Sequence, residues 1–413
     1  MNDFSSILDN PSMHATALQF VPIPVQRLSK EKFGGEVIES GARIQANGDV
    51  KFCIYAPTAE SVKIEVRMLA AKKFQQQVNY DREILCPRGH KDEHETIELV
   101  KDERGCFNGI LPWSSLNCGY QQLKVFVDGV FVVEPHMAVS YGAGFANFVE
   151  VPDPDMEYIL VKDVPHGSVT IDTYWSEVMN QWVRQFVYTP PGYRQSDEKY
   201  PVVYLHQGRT ESETGWTFSG KVPQIMDNLI ADGRAVPAIV VMNDGMYRTP
   251  EDEELKYDGF INMILEDTIP YVEANYRCIC DKWHRALAGL SMGGMQASQG
   301  GLGHPETFAW LGLFSCSIRP RDTQEDYDKN LYLNILKDKE RAEAEFKLIY
   351  RANGLGELMR DITILEDDDW IEKNNIPELS CYRRSIIKEC GGEHDWSTFR
   401  RAFRDFMGLA FKN

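Results

Sequence analysis

The sequence has no apolar run long enough to span a bilayer. Its longest, Phe308 to Cys316, falls well short of the ~20 residues a spanning helix needs and reads as a core strand. The start, Met1-Asn2-Asp3-Phe4, lacks a basic stretch followed by an apolar one, so no secretory leader is expected there. Positive charge is scarce. Against 62 Asp and Glu there are 44 Lys and Arg, and the net charge of −18 would repel nucleic acid and anionic membranes alike. Cysteine is sparse too: nine residues, an odd number, scattered without paired spacing. Cys278-x-Cys280 is too tight for a zinc knuckle, and the nine read as reduced thiols of a cytoplasmic protein. What is present is ordinary for a globular chain, 43% hydrophobic and 26% charged. At 413 residues it exceeds one ordinary core, and two domains are expected.

Residues 1–35 carry no strong periodicity and read as an extension that wraps the surface. From Ala42 short alternating segments begin. Val50 to Tyr55 and Val62 to Val66 have the period of two of half-buried strands. Gln122 to Val127 meets Asp128-Gly129, a hairpin turn, and Val130 to Val133 returns. Residues 36–152 therefore read as a β-sandwich, with Lys72 to Glu98 as a long loop or inserted hairpin. The Pro/Asp-rich Val151-Pro152-Asp153-Pro154-Asp155 reads as a linker. Beyond it the texture changes. Val202 to Leu205, Ala238 to Met242, Trp310 to Phe314 and Phe346 to Tyr350 are continuous apolar runs, as strands buried on both faces should be. Arg184 to Thr189 is a further strand. Val222 to Asp232, Tyr257 to Tyr276 (interrupted at Pro270) and Phe399 to Phe411 have helical spacing. Strands alternating with helices predict a mostly parallel sheet covered on both faces over 153–413, the α/β-hydrolase pattern.

Within that pattern one hexapeptide carries chemistry. Gly289-Leu290-Ser291-Met292-Gly293-Gly294 stands between a strand ending in Ala286-Leu287-Ala288 and a helix starting at Met295. Gly-x-Ser-x-Gly in a strand–turn–helix context is a nucleophile elbow: the serine hydroxyl is held clear of the sheet, and the amide of Met292 faces developing negative charge. Serine needs a base. The hydrolase order of serine, acid, histidine restricts it to His304 and His394. His304, in Gly303-His304-Pro305, is expected at the surface, whereas His394 lies in the Gly-rich loop before the last helix and is the candidate base. The candidate acid is Glu357, after the strand ending at Tyr350; Asp361 and the cluster Asp367-Asp368-Asp369 are rivals, the cluster reading as a solvated turn. A second oxyanion donor is expected from the loop after Leu205, near Arg209, with Gly208 allowing the turn. His206 is expected to prop that loop by hydrogen bonding. No metal or organic cofactor is required.

Two resemblances follow. Phe52 to Val62 together with Phe126-Val127-Asp128-Gly129 resembles the immunoglobulin-like domain that precedes glycogen-branching enzymes and many esterases. That implies sugar contact through exposed aromatics such as Trp113 and Tyr120, for which a core position is the plainer alternative. From 150 to the end, the chain is similar to the putative-esterase family through Asp163 to Gly167, Val187 to Tyr193, Tyr200 to Gly208, Glu213 to Trp216, Gly289 to Gln296 and Gly392 to Trp396. The resemblance implies a serine carboxylesterase acting through an acyl-enzyme on feruloyl, cinnamoyl or acetyl esters of carbohydrates, with a siderophore trilactone esterase as the alternative. Gln207, Trp216 and Trp396 in these motifs are candidate substrate contacts. Two departures stand out: Gln207-Gly208-Arg209 replaces the common His-Gly-Gly, and Gly354-Leu355-Gly356-Glu357 is nearer the glutamate version of the siderophore esterases. The implied partner is a small-molecule or oligosaccharide ester, and homo-oligomerisation is left open.

Overall fold

The computed structural model describes residues 3–8, 10–13, 26–27, 39–67, 94–116, 118–141, 145–246, 257–319, 334–360 and 362–412. It divides into two compact units, 1–161 with 388–397, and 162–387 with 398–413. The first boundary falls after Val161, not in the Pro/Asp stretch. The reason is local: Pro152 accepts the Trp113 indole N–H at 3.1 Å, and Val161 exchanges two hydrogen bonds with the Asn10 side chain.

The first unit holds β1 (Gln26–Arg27), β2 (Glu39–Ile44), β3 (Val50–Tyr55), β4 (Val62–Arg67), β5 (His94–Glu98), β6 (Val100–Lys101), β7 (Cys106–Leu111), β8 (Gly119–Val127), β9 (Val130–Val132), β10 (Val139–Tyr141) and β11 (Phe145–Val151). They form two sheets, in the orders β1-β2-β3-β7-β6 and β10-β11-β8-β4-β5, with β9 paired to β8. Alternate residues such as Phe52, Ile54, Ile64, Val66, Leu123 and Val125 fill the core of this unit, as a period of two requires. Part of the expected long loop is strand β5; residues 68–93 lie outside the described set. At the described start of the chain Asp3, Ser5 and Ser6 are exposed, while single side chains reach inward. Phe4 and Met13 are buried, and Phe4 packs on Trp113 with ring centroids 5.8 Å apart. Tyr120 is likewise buried, stacked on Phe148 and bonded to Ser140, whereas Trp113 is half-buried.

The second unit is an eight-stranded sheet with the α/β-hydrolase arrangement: β12 (Ser168–Ser176), β13 (Gln181–Thr189), β14 (Val202–His206), β15 (Ile239–Asn243), β16 (Arg285–Leu290), β17 (Trp310–Phe314), β18 (Leu348–Gly354) and β19 (Tyr382–Ile387). Its order is β12-β13-β15-β14-β16-β17-β18-β19, antiparallel as far as the β13–β15 pair and parallel from there on. β14 and β15 are buried at every position, which explains their unbroken apolar runs.

Around the sheet lie α1 (Gly215–Phe218), α2 (Val222–Ala231), α3 (Tyr257–Met263), α4 (Ile269–Asn275), α5 (Met292–Gly303), α6 (Lys339–Glu345), α7 (Leu355–Arg360), α8 (Ile362–Lys373) and α9 (Trp396–Met407). The break expected at Pro270 is a π turn over Ile264–Thr268, because proline supplies no amide to continue the α-helical ladder. The last helix begins at Trp396 and ends at Met407, earlier at both ends than the spacing predicts.

Candidate active site

Ser291 caps α5 directly after β16, with φ 52 and ψ −115, a backbone conformation that costs a non-glycine residue roughly 1–3 kcal/mol. The packing enforces it. Ser291 donates its amide to Phe314 at 2.8 Å and accepts from Met295 at 3.0 Å. A Cβ on Gly289 would fall 2.5 Å from the Gly293 carbonyl, and one on Gly293 would fall 2.5 Å from the Gln207 carbonyl. The Gly293 amide donates to that same Gln207 carbonyl at 3.1 Å, which fastens the loop after β14 to the first turn of α5.

That loop runs beside the nucleophile. A Cβ on Gly208 would stand 3.5 Å from the Ser291 Cβ. The Gly208 amide turns away to the Glu211 carboxylate at 3.3 Å, so the next amide, that of Arg209, is the one left as a candidate to join Met292 at an oxyanion. Met292 opens the helix, where amides have no intrahelical acceptor. The Arg209 side chain is exposed.

The structure revises several expected roles around this loop. The His206 ring is buried, makes an edge contact with Phe260 at 4.8 Å, and neither ring nitrogen has a hydrogen-bond partner among the described residues. Burial pushes its pKa down to about 3, which keeps the ring neutral. It is the His206 backbone that props the loop, its carbonyl accepting the Trp216 indole N–H at 2.8 Å. Trp216, expected to touch substrate, is therefore a core side chain, packed on Phe314 and Phe403. Trp396 is buried as well. Gln207 is committed to Asp244 at 2.7 Å. Asp244 was not anticipated; its only sequence signal is the Asn243-Asp244-Gly245 turn after a buried strand. Burial raises its pKa to about 6; the Glu213 carboxylate adds to this, while the Met246 amide, Gln207 and Arg184 oppose it.

Glu357 lies on α7, immediately beyond β18. It is 2% exposed, and its Oε2 accepts the Gly354 amide at 2.7 Å. Leu290, Phe314 and Ala352 share one register row, so Ser291 and the Glu357 segment leave the same end of the sheet. Cys316 lies between them: a Cβ on Gly294 would meet its sulfur, and Glu357 is among the charges raising its thiol pKa.

Of the rivals, Asp361 lies outside the described residues. The aspartate cluster is no solvated turn. It sits on α8, and Asp367 is fully buried, held by Arg351 at 2.6 Å, Arg319 at 2.8 Å, Ser317 at 2.6 Å and the Ile318 amide at 2.9 Å. Asp368 pairs with Arg384. His304 caps the end of α5 and pairs with Glu306 at 3.1 Å. His394 is exposed, on the Lys388–Ser397 segment that groups with the first unit. The cysteines are not all reduced: Cys118 and Cys390 form a disulfide, while Cys53, Cys106, Cys278, Cys280, Cys316 and Cys381 are free.

A sequence profile described as Putative esterase matches residues 176–408, more than half of the chain. The chain belongs to this family. Among curated relatives, the esterase is 31% identical over 324 residues to an endo-1,4-beta-xylanase/feruloyl esterase of Xylanibacter ruminicola, covering 76% of this chain and 40% of that protein. Over 140 residues it is 30% identical to endo-1,4-beta-xylanase Y of Acetivibrio thermocellus, covering 31% of this chain and 12% of that one. It thus spans well under half the length of either relative.

Among solved structures, the enterobactin esterase of Shigella flexneri with enterobactin aligns over 87% of this chain and 92% of its own (TM-score 0.59, 16% identity). A ferulic acid esterase of Anaeromyces mucronatus with ferulic acid aligns over 63% and 96% (TM-score 0.52, 23% identity). At these identities the likeness is one of fold, and the fold is that of an α/β hydrolase.

Proposed function

We propose that this esterase is a serine carboxylesterase that removes aromatic, feruloyl or cinnamoyl, or acetyl groups from carbohydrate esters. The observation that carries the serine mechanism is the forced left-handed conformation of Ser291 at the head of α5, with the Gly208 loop packed beside it. Ser291 attacks the ester carbonyl and His394 takes its proton. Glu357 orients the imidazole and stabilises its charge, and the amides of Met292 and Arg209 receive the oxyanion. Protonation of the leaving alcohol by His394 yields the acyl-enzyme, which water cleaves by the same steps in reverse. Every group in this cycle is a side chain or backbone amide of the protein.

The carbohydrate-ester substrate class is supported by the Xylanibacter relative, whose name pairs a xylanase with a feruloyl esterase. Among the described residues, no helix is long and apolar enough to cross a membrane. The Cys118–Cys390 bridge favours an oxidising compartment over the cytoplasm that the cysteine pattern suggests.

The test is a panel of methyl ferulate, acetylated xylan and a ferric catecholate trilactone, compared by kcat/KM. Methyl ferulate or acetylated xylan should lead. A trilactone turned over far faster than both would transfer the assignment to siderophore esters.

A further inference from the structure

The segment that carries His394 is fastened at both ends. Ahead of it, Cys390 is bridged to Cys118 across 272 residues of sequence, and Cys118 stands immediately before β8. Cys390 takes φ 50 and Gly392 φ 59, two left-handed turns that bring the chain round to His394. Behind it, the Ser397 hydroxyl accepts the Tyr120 amide at 3.0 Å and donates to the Cys118 carbonyl at 3.5 Å, while the Ser397 amide donates to Asp395 at 2.8 Å. Gly119 lies between the two fastenings with φ 82. A Cβ there would fall 3.0 Å from the Ser397 Cβ, so only glycine lets the strand come this close. The disulfide and the two Ser397 hydroxyl bonds meet at Cys118 and Tyr120, the start of one sandwich strand. His394 sits between them, exposed.

We propose that Cys118, Cys390 and Ser397 are positioning residues for His394, and that the start of β8 is the mount for the catalytic base. This rests on the reading of His394 as base. A covalent tether four residues before the imidazole and hydrogen bonds three residues after it restrict how far the ring can drift. A catalytic group displaced by ~1 Å can cost ~10²-fold in rate.

The test compares three proteins on a soluble aryl ester: the Cys118→Ser/Cys390→Ser variant, wild type reduced by dithiothreitol, and His394→Ala. In the reduction the dithiol gives two electrons and two protons to the Cys118–Cys390 bridge. Two thiols and the cyclic oxidised reagent result. The double variant should lose about ten- to a hundredfold in kcat with KM little changed, and its phosphonylation by a fluorophosphonate should slow in parallel. Reoxidation of reduced wild type should restore both rates.

Undiminished kcat in the double variant beside an inactive His394→Ala overturns the positioning role and leaves the base intact. Full activity of His394→Ala overturns the base, and the mount with it. Should the double variant fail to fold, reduced wild type that keeps its circular dichroism decides. Full activity with both thiols titrated contradicts the proposal.

Discussion

The turn that carries Ser291 and the loop that carries His394 are held in opposite ways. Ser291 is fixed by its own sheet: glycines at 289 and 293 let helix and loop close on the strand, and the Phe314 and Gln207 carbonyls accept the Ser291 and Gly293 amides to lock the turn. Little side-chain chemistry is involved. The His394 loop lies between a single turn at Glu389–Gly391 and the start of α9, and a disulfide and a serine hydroxyl fasten it. A nucleophile embedded in a sheet needs only small residues around it. A base on a loop needs attachment from elsewhere.

The largest expected effects test the chemistry that both devices serve. Ser291→Ala should lower ester hydrolysis by ~10⁴-fold or more with the fold intact. Retention of a tenth of the wild-type rate would remove Ser291 from the mechanism. If Glu357 is the acid of the proposed triad, Glu357→Gln, which keeps the shape and removes the charge, should cost up to ~10⁴-fold in kcat. His304→Ala, at the far end of α5, should change the rate less than about twofold, because an exposed ion pair contributes little.

Stability measurements separate the carboxylates further. Asp367→Asn removes the carboxylate nearest buried Arg351, leaving Asp368 at 3.5 Å, and should destabilise by about 3–5 kcal/mol, with activity per folded molecule retained. Loss of activity without loss of stability would reopen the choice between Asp367 and Glu357.

A pH-dependent effect concerns His206. Its folded pKa, about 3, lies below the unfolded value near ~6.5, so the unfolded chain binds the extra proton. Stability contributed by this group is complete above ~6.5 and is lost as pH falls towards 3, by at most about 1.4 kcal/mol per pH unit. Asp244, raised to about 6, contributes with the opposite sign between its unfolded value and 6. Urea unfolding of His206→Leu from pH 4 to 6.5 should therefore show a shallower fall on acidification than wild type. Identical slopes would mean that His206 is charged or solvated in the folded protein.

The elbow was legible because its chemistry is local: glycine spacing, a strand before and a helix after. The buried parallel strands were legible for the same reason, since β14 and β15 need apolar residues at every position. Edge strands were not. β19 carries Arg383 and Arg384 on an exposed edge, and β12 alternates weakly, so neither has the run that marks a central strand. Long-range pairing was invisible as well. Nothing near Cys118 announces Cys390, and Asp367 looks like part of an acidic surface run until Arg319 and Arg351 converge on it from other elements. His206 misled because a histidine beside an active-site loop suggests a hydrogen-bonding prop, and here the backbone of the same residue does that work.

The central claim is that Ser291 is the nucleophile of an acyl-enzyme cycle. The most direct measurement is peptide mapping after reaction with a fluorophosphonate, which captures an activated serine as a stable adduct. The account predicts one adduct, on Ser291, absent from Ser291→Ala and formed far more slowly in His394→Ala. An adduct on another residue, or continued ester hydrolysis by a protein whose Ser291 is fully blocked, would contradict it.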